Sequence, residues 1–229
     1  MYAGDNHLPT IIHHGVDAWR DSGYSFTVPS IAAGFPRAWI PPEPGANHEP
    51  GMPPYTGDYR DGHGNKITML AAANPMTWMY EGQAIEGNIQ ALDWKRSGYG
   101  FVRFDKPDRQ IVIECWRILG DVSDPKTGQM PGWPMTISQL DNYGRAATAW
   151  LPTIRTQGLA NPVLQVIQEG SGELVYALRM KDAEFDPKVF EEGAYTIRIG
   201  DQDAGRMREF KGVRAATEKG ASALDVLFD

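Results

Sequence analysis

Between Gly34 and Asn65 the sequence places seven prolines (Pro36, Pro41, Pro42, Pro44, Pro50, Pro53 and Pro54) and six glycines. Proline lacks an amide donor and holds φ near about −65°, so neither a helix nor a central strand runs through such a stretch. A connection of this size without regular structure is either disordered or a functional loop. Phe35, Trp39, Tyr55 and Tyr59 give it apolar surface to bury. The sequence therefore predicts an ordered loop, packed on the body and able to wall a cleft, with no run that fits a sheet.

Outside that loop the periodicity is that of strands. Candidates are Tyr24–Ile31, Lys66–Ala73, Tyr99–Asp105 and Gln110–Arg117. The last two flank Lys106-Pro107-Asp108-Arg109, a turn signal, and predict a hairpin with Val102 and Phe104, then Ile111, Ile113 and Cys115, each along one face. Val163–Gln168 and Glu173–Arg179 flank Glu169-Gly170-Ser171-Gly172 as a second hairpin, with Ala194–Ile199 after it. Helices are expected to be scarce, short ones being placed at Thr10–Ser22 and around Met76–Asp93. Asp58 through Asn65 reads as a glycine-bent turn, since it lacks the alternating ligands of a calcium loop. The composition divides the chain into residues 1–118, a Gly/Pro/Asp-rich linker or covering loop at 119–135, and a small antiparallel β-domain at 136–229, most simply a sandwich.

Charge and cysteine content exclude several classes. Net charge is −7, which disfavours a broad basic face for nucleic acid. The single cysteine, Cys115, excludes an internal disulfide and a Cys-rich zinc module, and its strand position predicts a buried, inert thiol. No run of roughly 18 apolar residues predicts a membrane span. Met1-Tyr2-Ala3-Gly4-Asp5 has neither a basic nor an apolar signal region, so no export signal is expected within these residues.

Chemistry is concentrated near the amino end. In Gly4-Asp5-Asn6-His7, a carboxylate and an imidazole two positions apart share one side of an extended segment, and both suit a hard or borderline metal. Ile12-His13-His14-Gly15-Val16-Asp17, Trp19-Arg20-Asp21 and Tyr24-Ser25-Phe26-Thr27-Val28-Pro29-Ser30-Ile31 follow. Ala73-Asn74-Pro75 and Gly98-Tyr99-Gly100-Phe101-Val102-Arg103-Phe104-Asp105 come later. In this order the motifs resemble the C-terminal third of PhoD-like metallophosphatases, calcineurin-like phosphoesterases related to alkaline phosphatase D. The likeness covers about residues 3–118, and residues beyond 135 are similar to accessory β-domains of some bacterial members.

The resemblance implies an α+β, β-rich chain. Its first part would be the C-terminal portion of a two-sheet αββα metallophosphoesterase fold, followed by the small antiparallel β-sandwich-like domain. It implies a binuclear metal centre, iron with calcium or other divalent cations, with Asp5 and His7 as ligands and a phosphoester as substrate. It also implies an exported, periplasmic or extracellular bacterial location. The family's earlier ligand motifs have no counterpart before Asp5. The chain is therefore expected to be a C-terminal fragment that lacks the N-terminal half of its domain and has no phosphatase activity alone. No catalytic residue is assigned. His13, His14 and Arg20 are candidates for supporting the ligands or contacting substrate, although two adjacent histidines diverge too far to share one ion. Asp17 and Arg20 would be a surface pair if their segment were helical. The alternative is a non-catalytic binding module with a vestigial Gly-Asp-x-His motif and a β-domain that engages carbohydrate or protein.

Overall fold

Short β-branched and aromatic runs, punctuated by Gly and Pro, favour strands over helices, and the chain is mostly β with several antiparallel sheets. The computed structural model describes residues 2–3, 6–32, 35–76 and 88–229. Contacts divide the chain into two units, Met1–Asp105 with Gln110–Arg145, and Lys106–Arg109 with Ala146–Asp229. Residues 119–135, expected as a linker or covering loop, lie inside the first unit, and the second begins its main segment at Ala146.

The first unit holds β1 (Tyr2–Ala3), β2 (Thr10–Gly15), β3 (Tyr24–Thr27), β4 (Gly57–Arg60) and β5 (Lys66–Ala72) in one sheet of order β1-β3-β2-β5-β4. β1 runs parallel to β3, and the other pairings are antiparallel. After α1 (Ile89–Trp94) come β6 (Gly98–Asp105), β7 (Gln110–Arg117) and β8 (Met135–Ser138), a three-stranded antiparallel sheet. Ile11, Phe26 and Ala71 from the first sheet share a core with Ile113, Cys115 and Ile137 from the second. Met130 and Trp133 join that core. Gly100 is required there, because a Cβ would stand 2.8 Å from the Phe26 ring.

Three expectations are corrected. Thr10–Ser22 is not helical. Thr10, Ile11 and Ile12 are β-branched, and pairing with β3 and β5 on both sides makes the segment a central strand followed by a turn. The proline-rich loop does contribute to a sheet, since its last residues form β4, an edge strand whose pairing is extended by a bridge from Ala46 to Asp58. Tyr24–Ile31 is strand only as far as Thr27, two residues before Pro29. The helix placed around Met76–Asp93 falls partly outside the described residues; α1 occupies its end.

In the second unit, β12 (Leu174–Arg179), β11 (Val163–Gln168), β15 (Ala194–Asp201) and β16 (Arg206–Arg214) make a four-stranded antiparallel sheet in that order. β13 (Glu184–Phe185), β10 (Thr153–Gln157) and β17 (Ala223–Leu227) make another, in which β10 and β17 are parallel. β9 (Ala149–Trp150) pairs with β14 (Lys188–Val189). Alternate residues are buried: Leu164 and Val166, Ile197 and Ile199, Ile154 and Thr156, as period-two strands with one face turned inward require.

Candidate functional site

His7 lies between β1 and β2, half-buried, with φ of +56°. That left-handed conformation costs a non-glycine residue about 1 kcal/mol, so something must hold it. Two bonds from the start of the proline-rich loop do. The Arg37 amide donates to the His7 carbonyl at 3.1 Å, and His7 Nδ1 lies 2.7 Å from the Phe35 carbonyl oxygen. A carbonyl can only accept, so Nδ1 carries a proton, and whenever the ring is neutral its lone pair lies on Nε2. Each bond contributes about 1 kcal/mol net, enough together to offset the backbone strain.

The same loop is fastened further along. Asn74, just past β5, uses both ends of its side chain on one residue: Oδ1 accepts the Trp39 amide at 2.9 Å, and Nδ2 donates to the Trp39 carbonyl at 3.0 Å. Trp39 Nε1 donates to the Tyr55 carbonyl at 3.0 Å, and its ring meets Tyr59 edge-on at 5.2 Å. Trp39, Tyr55 and Tyr59 thus pack together, while the Phe35 ring and Ile40 are about 70 % exposed.

His13 and His14 project from opposite faces of β2. His13 is buried, its Nε2–H donates to the Ser22 carbonyl at 2.9 Å, and its ring stacks on Tyr24 at 4.0 Å. Burial lowers its pKa below the ordinary imidazole value, against the opposing pull of the Ser22 carbonyl and Asp141. His14 Nε2 is 2.9 Å from Ser25 Oγ, and burial lowers its pKa as well. The Tyr24 phenol is pushed up to about 12, by burial first and by Asp141 second.

Arg20, with φ of +66°, is turned toward the loop. Its Nε donates to Asp58 Oδ1 at 3.3 Å, and Nη1 lies 3.7 Å from Glu49. Asp58 is buried and also accepts from Thr68 Oγ1 at 2.5 Å and Asn47 Nδ2 at 2.7 Å. Arg20, Asn47, Glu49, Met52 and Thr56 line a cleft there, where the guanidinium charge is matched by two carboxylates. Arg20 does not pair with Asp17, because the segment is a turn: Asp21 accepts the Val16, Asp17 and Ala18 amides at 2.6, 3.0 and 2.8 Å. Burial raises the Asp21 pKa, but those amides outweigh it and hold the carboxyl below its usual range. Asp17 pairs instead with Arg145 at 2.7 Å. The Asp58–Asn65 segment turns on Asp61, whose carboxylate accepts the His63 and Asn65 amides.

No family model, curated protein or solved structure matches the chain. The candidate metal site therefore rests on the residues themselves. Asp5 lies outside the described residues, and among the described residues no three His, Cys, Asp or Glu side chains form a metal-holding group. His7 fits a ligand's role in one specific respect. A ligating imidazole characteristically donates its other N–H to a carbonyl, which fixes the tautomer and aims the lone pair, and the Phe35 carbonyl does this for His7. Cys115 has no such fitness: it is fully buried, burial pushes its thiol pKa strongly up, and its Sγ rests 3.4 Å from Met130 Sδ.

Sequence reasoning did not find the Phe35 carbonyl, the Arg37 amide or the Asn74 clamp. Backbone groups leave no mark on residue identity. For Asn74 the one available signal was an amide side chain placed directly after a strand and before Pro75, in a position where its backbone could not extend the ladder.

Proposed function

We propose that this chain forms part of a PhoD-like metal-dependent phosphoesterase centre, with Asp5 and His7 as metal ligands. In this reading the first unit is the two-sheet part of an αββα metallophosphoesterase fold, and the second is a β-sandwich-like accessory domain. Three things support it: the order of the motifs, the core shared by two sheets, and above all the Nδ1–H bond from His7 to the Phe35 carbonyl. Metal ions bound there supply Lewis acidity toward a phosphoryl oxygen and a water of lowered pKa. The chain's own residues have simpler tasks. The Phe35 carbonyl keeps the His7 ring from turning, and the Asp5 carboxylate would supply negative charge to the metal. A catalytic metal takes about three protein ligands, so two residues do not complete a dinuclear cage, and the reading requires ligands beyond Asp5 and His7.

Calorimetric titration of the whole chain with Mn²⁺ tests the reading. Binding is expected to weaken at least about tenfold in His7→Ala, the scale seen when a ligand shell is disturbed. Equal binding by wild type and His7→Ala would overturn it.

A further inference from the structure

We propose that Asn74 is the positioning residue for His7. The functional meaning of this inference rests on the metal-ligand reading above; its geometry does not. One dipeptide, Ala73-Asn74, holds both sides of the His7 turn. On one side the Ala73 amide donates to the Pro9 carbonyl at 2.9 Å, two residues beyond His7. On the other, the Asn74 amide grips the backbone of Trp39 through both its acceptor and its donor. Trp39 is two residues from Arg37 and four from Phe35, the residues that bond the His7 carbonyl and ring. The dipeptide is itself tied back to the body, since Arg96 Nε donates to the Asn74 carbonyl at 2.9 Å.

Two short spans of chain therefore start at Ala73-Asn74 and converge on one imidazole. A side-chain amide suits this task, because it satisfies a backbone N–H and a backbone C=O of the same residue at once, as a strand neighbour would. Aspartate retains the acceptor but loses the donor, and its second oxygen would face the Trp39 carbonyl. Alanine loses both. With Trp39 released, the Phe35 carbonyl is no longer fixed opposite Nδ1, and the ring is free to adopt the Nε2–H tautomer, whose lone pair lies on the wrong nitrogen.

The test is the ring ¹⁵N spectrum of His7 in the whole metal-free chain near pH 8, which reports which nitrogen is protonated. Wild type is expected to show predominantly Nδ1–H. Asn74→Ala should raise the Nε2–H population several-fold, and Asn74→Asp should fall between the two. Asp58→Ala is the control, because it loosens the same loop at its far end, where Asn47 and Arg20 are held, and should leave the His7 tautomer as in wild type. If Asn74→Ala does not fold, Asn74→Asp carries the test. An unchanged tautomer in the folded Asn74 variant, or an equal change in Asp58→Ala, overturns the proposal. The metal-ligand reading fails separately, when Mn²⁺ affinity ignores His7 while the tautomer still follows Asn74.

Discussion

His13 and His14 show how neighbouring residues of one type are put to different uses by the alternation of a strand. His13 joins the core face beside Tyr24, and His14 meets Ser25 on the other. Burial lowers the pKa of both. A base whose folded pKa lies below its unfolded value of about 6.5 resists protonation in the native state, so the native chain binds fewer protons than the unfolded one. Its contribution to stability is complete above that value and is lost as the pH falls toward the folded pKa. Denaturant unfolding between pH 8 and 5 is expected to show stability falling with acid, and His13→Gln should flatten the slope. An identical slope in the variant would place the proton uptake elsewhere, since Asp141, Arg20 and Tyr24 are the charged or titratable groups acting on His13 or stacked against it.

At the scale of elements, the β6–β7 hairpin sets how closely the two sheets of the first unit approach. Its glycine at position 100 lies against the Phe26 ring, which is itself fully buried and has nowhere to retreat. Gly100→Val is expected to destabilise by about 1–3 kcal/mol, the usual cost of overpacking a filled core. Gly170→Ala, in a turn with open space around it, should stay within about 0.5 kcal/mol. Equal shifts in denaturation midpoint would show that the contact at Gly100 does not limit packing. This hairpin was legible in the sequence because two alternating runs of eight flank a proline turn, and the register pairs Asp105 with Gln110 as that turn demands. Val102, Ile111, Ile113 and Cys115 face the core as the alternation predicts, whereas Phe104 near the tip is exposed. β2 was not legible, for its six residues hold two adjacent histidines and too few apolar positions to separate period two from period 3.6. β4 was hidden because four residues beginning with a glycine, in a proline-rich context, show no pattern until β5 pairs with them. The Asn74 clamp joins residues 35 apart and has no local signature.

The candidate site belongs to the first unit, and its one described residue, His7, is held by a loop that composition alone marked as unusual. No helix among the described residues is long and apolar enough to cross a membrane. The proposed role of His7 requires Nε2, not Nδ1, to meet a metal. Crystals of the whole chain soaked in Zn²⁺ and measured at the zinc absorption edge test that atom directly. The account predicts an anomalous peak about 2.0–2.1 Å from Nε2, with Nδ1 still bonded to the Phe35 carbonyl. A peak at Nδ1, or zinc bound with His7 unliganded, would contradict it.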